Sequence, residues 1–176
     1  SKYYFKVMND IASYYNSNLK KFLANNNISF LEKKKITSEK IEKYNLGLSD
    51  NSDKLEKFLA KISVSLNYLI ENNIFKINKF DKKFDLFTNR IMFPIKDRFE
   101  NTIAFGGRTL SKEKPKYINS WENRFFKKRM TLYNLPSLNR IKKRSEEVYI
   151  VEGYTDVIAM ESKGVKAIAP LGTSLS

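Results

Sequence analysis

Apolar residues recur at helical spacing through the first third of the chain. Across 4–22 they stand three or four positions apart, which places them on one face of a long amphipathic helix. The same periodicity predicts shorter helices over 28–34 and 37–46 and a further helical segment over 52–72. Gly47 follows the third of these directly and suits the left-handed position after a helix end. This part of the chain is therefore expected to form a helical scaffold.

From position 74 onward the pattern changes to short apolar runs broken by turn residues. We predict strands over 74–77, 90–95 and 102–105, the last two separated by a length that suits a hairpin. Pro94 has no N–H to donate to a ladder, so the strand that contains it is expected at an edge or a bulge. These runs indicate an antiparallel sheet next to the helices.

Two glycines follow the third predicted strand at once. Gly106 and Gly107 allow a sharp turn or a close backbone approach, which would present Arg108 at the strand end. Residues 112–129 have no regular periodicity, and residues 135–143 favour a helix. Tyr117, Trp121 and Phe126 are interleaved with the basic residues of this region, and packing between two lobes is one role open to them.

The last thirty residues have the pattern of one strand-helix-strand unit. Residues 148–151 form a β-rich run, 154–163 have helical character, and 165–169 begin another strand, with Gly164 ending the helix between them. Two strands joined by a helix are parallel with a right-handed crossover. The predicted fold class is α+β, with a helical and mixed α/β basic region followed by the first strand-helix-strand unit of an α/β domain.

The distribution of positive charge along the chain indicates a binding partner. The chain of 176 residues has a formal net charge of +14, and its stretch from Arg108 to Arg144 contains twelve basic residues against two acids, a net +10. Neutralising several phosphates releases counterions, so such a stretch favours binding to a polyanion. The alternative is a solvated surface in a Lys- and Asn-rich protein.

Composition also restricts the chemistry. Cysteine and histidine are both absent, which excludes disulfides, thiolate or imidazole metal sites and nucleophilic catalysis that needs a histidine base. Any metal would be bound by oxygen, which favours magnesium or manganese. The candidate carboxylates are Glu152, just past the strand 148–151, which we expect to be buried, and Asp156, in the first turn of the next helix. Ligands gather at the carboxyl ends of parallel strands, although Asp156 could also serve only the helix N-terminus.

Five segments resemble bacterial DNA primases of the DnaG type in the same order. They are Arg-Ile-Met-Phe-Pro-Ile at 90–95, Ile-Ala-Phe-Gly-Gly-Arg at 103–108, Lys-Pro-Lys-Tyr-Ile-Asn-Ser at 114–120, Val-Glu-Gly-Tyr-Thr-Asp-Val at 151–157 and Ala-Ile-Ala-Pro-Leu-Gly-Thr at 167–173. The last two resemble the opening of a Toprim fold. The resemblance implies a basic N-terminal subdomain over 1–145 and the start of a Toprim subdomain over 146–176.

The resemblance also implies roles for eight side chains. Glu152 corresponds to the acid essential for catalysis, acting near divalent metals as a ligand or a proton-handling group, and Asp156 corresponds to the second acid. Residues expected to contact template, primer or nucleotide phosphates are Arg108, Lys116, Tyr117, Asn119, Lys128 and Lys34. A guanidinium can bind a phosphate at two points, whereas lysine acts as a mobile point charge. Lys34-Lys35 and Asn134 stand where the family usually has Arg-Gly and Gly, so a glycine turn is expected to be lost.

As a function, the resemblance implies a DNA-dependent RNA polymerase that makes RNA primers on single-stranded DNA from nucleoside triphosphates. Its Mg²⁺ or Mn²⁺ would need further aspartates beyond Ser176, so we expect the 176-residue chain alone to be inactive. Zinc and a replicative helicase would bind separate N- and C-terminal domains. We expect a cytoplasmic, nucleoid-associated monomer without a membrane segment. The alternatives are another Toprim enzyme, such as a topoisomerase or nuclease, and a non-enzymatic single-stranded nucleic-acid-binding module.

Overall fold

The protein has an α+β fold, and the computed structural model describes residues 1–172. The helices are α1 (Lys2–Leu23), α2 (Ser29–Lys33), α3 (Ser38–Lys43), α4 (Ser52–Lys61), α5 (Leu66–Glu71) and α6 (Tyr154–Glu161). The strands are β1 (Gly47–Ser49), β2 (Lys76–Ile77), β3 (Lys83–Phe84), β4 (Arg90–Lys96), β5 (Thr102–Thr109), β6 (Tyr117–Asn119), β7 (Leu132–Tyr133), β8 (Val148–Ile150) and β9 (Lys166–Pro170). Thr173, the last residue of one predicted motif, lies outside the described residues.

Helix α1 buries the face that its periodicity predicts, with Tyr4, Ile11 and Leu19 almost fully inaccessible. The segment 52–72 is two helices rather than one, so that prediction is wrong in part. The side chain of Ser65 accepts a hydrogen bond from the N–H of Tyr68 and caps α5, which starts a new helix after the break.

Gly47 does not end a helix in the left-handed conformation, contrary to the prediction. Asn45 takes that position with φ 51°, and Gly47 pairs with Met92 at the start of β1. A Cβ atom on Gly47 would lie 2.7 Å from the carbonyl carbon of Tyr15. Glycine is therefore needed because β1 and α1 approach each other closely.

The main sheet has the antiparallel strand order β1-β4-β5-β6. Strand β4 is internal, so the expected edge position is wrong, although a register irregularity does occur between Ile95 and Lys96. Pairing with β1 ends at Met92. Pro94 lies beyond that point, and its missing N–H does not interrupt the β1–β4 ladder.

Strand β5 continues through both glycines, so of the two alternatives for this pair the close backbone approach is confirmed and the sharp turn is wrong. A Cβ on Gly106 would overlap the ring of Tyr154, and a Cβ on Gly107 would lie 2.7 Å from the ring of Phe87. Arg108 consequently lies within the strand, paired with β4 on one side and β6 on the other, and not at a strand end.

Several short elements differ from the predictions. The segment 74–77 is a strand only over β2, which forms a hairpin with β3. Strand β6 lies within the region 112–129 that lacks periodicity. The predicted helix over 135–143 is instead a 3-10 turn, Leu135–Arg140, which begins after the left-handed Asn134 and has Pro136 at its start. These elements are too short to produce a periodic pattern, so the periodicity of the sequence did not predict them.

The strand-helix-strand unit is confirmed. Strands β8 and β9 are parallel, α6 connects them, and Gly164 has φ 83° after the helix. Strand β7 adds an antiparallel partner on the other side of β9. One hydrophobic core contains Leu19, Phe93, Val157 and Ala169, so residues before and after position 145 pack together. The division at 145/146 stays a prediction.

Among residues 1–172, none of the helices combines the length and the apolar character that crossing a bilayer requires.

Lys35 stands where related proteins usually have glycine, and it keeps the left-handed turn that was expected to be lost. Its φ is 54°, and the next residue, Ile36, donates to the carbonyl of Leu31 at 2.9 Å. The left-handed region costs a non-glycine residue about 1–2 kcal/mol, and glycine loses about 0.5–1 kcal/mol of backbone entropy. We therefore predict that Lys35→Gly raises the free energy of unfolding by about 0.5–1 kcal/mol, measured by urea denaturation. Lys33→Gly, inside α2, should lower it, and a destabilising Lys35→Gly would contradict the argument.

Buried Asp85 makes stability depend on pH. Burial raises its pKa to about 6, while hydrogen bonds from Ser52 and from the backbone of Phe87 oppose the shift. Because the folded-state pKa lies above the ordinary value of 3.8, the contribution of Asp85 is fully present below about pH 4 and is lost as pH rises through about 6. We predict that Asp85→Asn becomes more stable relative to the parent as pH rises. The difference in unfolding free energy, variant minus parent, should increase by about 2–3 kcal/mol between pH 4 and 7. The exposed substitution Asp53→Asn should show no such increase, and a constant difference for Asp85→Asn would refute the interpretation.

Candidate functional site

One cleft of about 710 Å³ contains most of the predicted site residues. It lies between β6, the turn at Lys128 and the N-terminus of α6. Seven of the eight candidates line it: Lys34, Lys116, Tyr117, Asn119, Lys128, Glu152 and Asp156. Three lysines therefore share one cleft with two carboxylates, and one of them, Lys34, is more than a hundred residues from both carboxylates in the sequence.

Arg108 lines an adjoining groove of about 660 Å³, which shares Lys34, Lys116 and Tyr117 with the cleft. Its guanidinium carbon lies 4.2 Å from the centre of the Phe30 ring, and Nη1 donates to the carbonyl of Thr109 at 2.5 Å. Its Nε is buried without a hydrogen-bond partner among the described residues. Part of the guanidinium is thus held by the protein, which restricts the two-point phosphate contact predicted for it.

Glu152 and Asp156 lie where the strand-helix-strand unit places them. Glu152 follows β8, and Asp156 is in the first turn of α6, where the helix dipole stabilises negative charge. The assumption that Glu152 follows a buried strand is wrong, because Tyr149 and Ile150 are exposed and Glu152 is exposed too. Neither carboxylate forms a salt bridge with another described residue. Both are therefore available to a ligand.

Asn119 faces the protein interior and organises the cleft. Tyr154 donates a hydrogen bond to its side-chain oxygen, and the Asn119 amide donates to the carbonyl of Leu171 at 2.8 Å. The Tyr154 ring stacks on Phe93 at 4.9 Å, and burial raises the pKa of its hydroxyl well above the usual value. Asn119 and Tyr154 together tie β6 to α6 and to the end of β9.

Tyr117 lies on the cleft wall with 39% of its surface exposed. Partial burial raises the pKa of its hydroxyl, and the charge of Arg108 opposes this rise. The ring therefore stays a neutral phenol near neutral pH. Its exposed face is available to an aromatic or basic ligand group.

Arg90 is a positioning residue that the sequence analysis missed. It is 7% exposed and donates through Nη2 to the carbonyl of Pro115 at 2.9 Å and through Nη1 to the carbonyls of Lys116 and Gly107 at 3.2 Å. Burial lowers its pKa. These bonds hold the main chain at Lys116, a residue that lines the cleft. The only sequence signal was a charged residue at the start of an apolar strand.

The aromatic residues around the cleft have different roles. Phe126 is fully buried and packs the core. Trp121 lines the cleft and contacts Phe84 edge-on at 5.6 Å. The Glu122 carboxylate accepts the N–H of Lys128 at 2.7 Å, which fixes the turn that carries this lysine.

The carboxylates fit part of a divalent-metal site. Within the described range 1–172, no three acidic side chains lie close enough together to hold a metal ion. Glu152 and Asp156 nonetheless supply two unpaired oxygen-donor groups to one cleft, and such donors suit magnesium or manganese. Further oxygen ligands would be needed to complete the coordination.

Comparisons with known proteins agree with this geometry. The family model described as "DNA primase catalytic core, N-terminal domain" matches residues 14–139, and a Toprim domain model matches residues 146–176. The DNA primase of Haemophilus influenzae is 36% identical over 97% of this chain, which corresponds to 29% of that protein.

Two solved structures have the same fold. A DNA primase domain from Pseudomonas aeruginosa has a TM-score of 0.88 and 34% identity, covering 98% of this chain and 55% of the other. A DnaG primase catalytic domain bound to ssDNA has a TM-score of 0.82 and 30% identity. The match covers 98% of this chain and 56% of that domain. The chain spans less than a third of the length of the curated relatives. Because the first family model covers most of its residues, the chain belongs to the bacterial DNA primase family, as the N-terminal domain of the catalytic core leading into a Toprim domain.

Proposed function

We propose that this chain is part of a DNA primase, a DNA-dependent RNA polymerase that synthesises short RNA primers on single-stranded DNA. The observation that carries the proposal is the cleft itself, where Lys34, Lys116 and Lys128 lie around the same space as Glu152 and Asp156. Nucleotidyl transfer needs cations for phosphate groups and carboxylates for metal ions in one place. The DnaG catalytic domain structure with ssDNA adds support, since its fold is shared over nearly the whole chain.

The lysines supply mobile positive charge for the phosphates of template, primer or nucleotide. The main chain is held at both Lys116 and Lys128, by Arg90 at the carbonyl of the first and by Glu122 at the N–H of the second. Tyr117 and Arg108 extend the same surface into the adjoining groove. A strand lying across both grooves would keep its phosphates near cations along its whole length, and the aromatic faces would contact its bases.

The carboxylates bring acidic groups to the same cleft. When bound, Mg²⁺ or Mn²⁺ would offset charge on the reacting phosphates and make the attacking hydroxyl a better nucleophile. Glu152 would hold the metal or accept a proton from that hydroxyl, and Asp156 would hold the metal from the first turn of α6. The exposure of Glu152 fits such a role because a ligand, rather than the protein, satisfies its charge.

The remaining assignments belong to the longer protein. They are nucleoside triphosphates as substrates, an RNA primer as product, zinc in a separate N-terminal domain, a replicative helicase bound through a C-terminal domain, and action as a monomer at the replication fork in the cytoplasm. The isolated 176-residue chain is expected to make no primers, because the carboxylates described above are too few for the metal site.

We predict that the chain binds oligothymidylate and that the cleft lysines set the salt dependence. Each phosphate contact contributes about 0.7 to the slope of log affinity against log salt for a single strand. Lys116→Ala and Lys128→Ala should each weaken binding and reduce that slope by about 0.7. Lys163→Ala, at the opposite end of α6 from Asp156, should change neither. Trp121 is the single tryptophan of the chain and lines the cleft, so its fluorescence provides the readout. Equal slopes in all variants would contradict the assignment of these lysines.

The role of Glu152 separates an enzyme from a binding module. In the full-length protein, Glu152→Gln should lower primer synthesis by about a hundredfold or more and leave DNA affinity unchanged, since an essential charged group is lost while the lysines stay. Glu147→Gln, which alters an exposed glutamate bonded to Tyr149, is the matched control. Primer synthesis is measured from incorporated nucleotide. Undiminished synthesis by Glu152→Gln would refute its catalytic role and favour a nucleic-acid-binding module.

A further inference from the structure

The β2–β3 hairpin displays an aromatic ring among lysines. Phe80, in the turn between the two strands, is 75% exposed. Lys79 and Lys82 flank it, and the ammonium group of Lys79 lies 5.0 Å from the centre of the Phe80 ring. Asp81 is the one acid within the segment 76–83, which contains four lysines. An isolated exposed phenylalanine is common, but one held in a basic turn has the composition of a single-strand contact.

The turn is ordered by its own hydrogen bonds. The side-chain oxygen of Asn78 accepts from the N–H groups of Phe80 and Lys82 at 2.9 and 3.0 Å. The N–H of Asn78 donates to the carbonyl of Lys82 at 2.9 Å, and Asp81 is left-handed with φ 55°. The Phe80 ring is therefore presented to solvent by a defined backbone, which lowers the entropy lost when a base stacks on it.

The hairpin is continuous with the cleft. At its base, the ammonium group of Lys76 lies 4.5 Å from the centre of the Trp121 ring, and Phe84 packs against the same ring. Trp121 lines the cleft, as does Leu86 just after β3. Lys83 is bound to Glu56 at 2.6 Å, which anchors the hairpin to α4. A strand leaving the cleft past Trp121 would meet the hairpin next.

The charges of the tip complement a polyanion. Within the described part of the chain, Lys76, Lys79 and Lys82 form no salt bridge. They lie on a two-stranded ribbon whose side chains at β2 are exposed. Asp81 offsets only part of the charge of these lysines, and the Phe80 ring beside them is left exposed.

We propose that the β2–β3 hairpin is a second contact for the single-stranded nucleic acid that occupies the cleft. Phe80 stacks on a base, and Lys79 and Lys82 contact the phosphates beside it. The inference rests on the proposed function, because it takes the cleft as the first contact. It adds a subsite at the hairpin tip and makes affinity depend on the length of the strand.

The test of the ring compares Phe80→Ala with Phe99→Ala. Phe99 is a close match, because it is 70% exposed in another hairpin turn and has Arg98 at 4.7 Å from its ring, but it lies at the end of the β4–β5 pair away from Arg108. Affinity for labelled oligothymidylate is measured by fluorescence anisotropy. Stacking on one base corresponds to a loss of at least about fivefold for Phe80→Ala with a strand of about 20 nucleotides. A strand of about 5 nucleotides, which fills the cleft alone, should bind the variant and the parent equally. Phe80→Tyr should restore binding, and Phe99→Ala should have no effect.

The lysines give an independent signature. The double substitution Lys79→Ala, Lys82→Ala should reduce the slope of log affinity against log salt by about 1.4 for the long strand, whereas Phe80→Ala should leave the slope unchanged. Parental affinity of both variants for the long strand would overturn the hairpin subsite. Equal losses with short and long strands would also overturn it, because they would indicate a change in the cleft. Failure of the parent chain to bind any oligothymidylate would instead overturn the proposed function.

Discussion

The buried ring of Tyr154 is the contact on which the arrangement of the site depends. It fills the space left by the missing side chain of Gly106, stacks on Phe93 and donates a hydrogen bond to Asn119. These partners belong to the main sheet, whereas Tyr154 begins the helix that follows β8. The cleft lysines and the two carboxylates are consequently held at a fixed separation by the packing of one side chain.

This fixed separation explains why opposite charges face each other without pairing. Lys34, Lys116 and Lys128 line the same cleft as Glu152 and Asp156, yet within residues 1–172 neither carboxylate forms a salt bridge. The lysines and carboxylates could form ion pairs only if β6 and α6 moved closer to each other. The packing around Tyr154 opposes that movement. A ligand that carries phosphates and metal ions satisfies both sets of charges at once.

The sequence was informative where physical periodicity or a rigid unit determines structure. The long helix α1 and the parallel β8–α6–β9 unit follow from spacing. The site candidates came from the resemblance to primase motifs, and seven of the eight line one cleft. Local conformation was less predictable. Gly47 suggested a helix end, and Gly106 left a turn and a close approach both open. Both glycines serve close packing, against Tyr15 and Tyr154, and sequence did not identify these partners because they come from distant parts of the chain. Lys35 and Asn134 keep left-handed turns without glycine, which composition alone does not indicate.

Arg90 has a further consequence because its acceptors are backbone carbonyls. It holds the segment from Pro115 to Lys116 through main-chain oxygens, and no side chain of that segment takes part in these bonds. The frame of the cleft wall is therefore independent of which residues the segment carries. A substitution at Lys116 would therefore change the charge and size that the segment presents to the cleft, while the same bonds from Arg90 still hold its main chain.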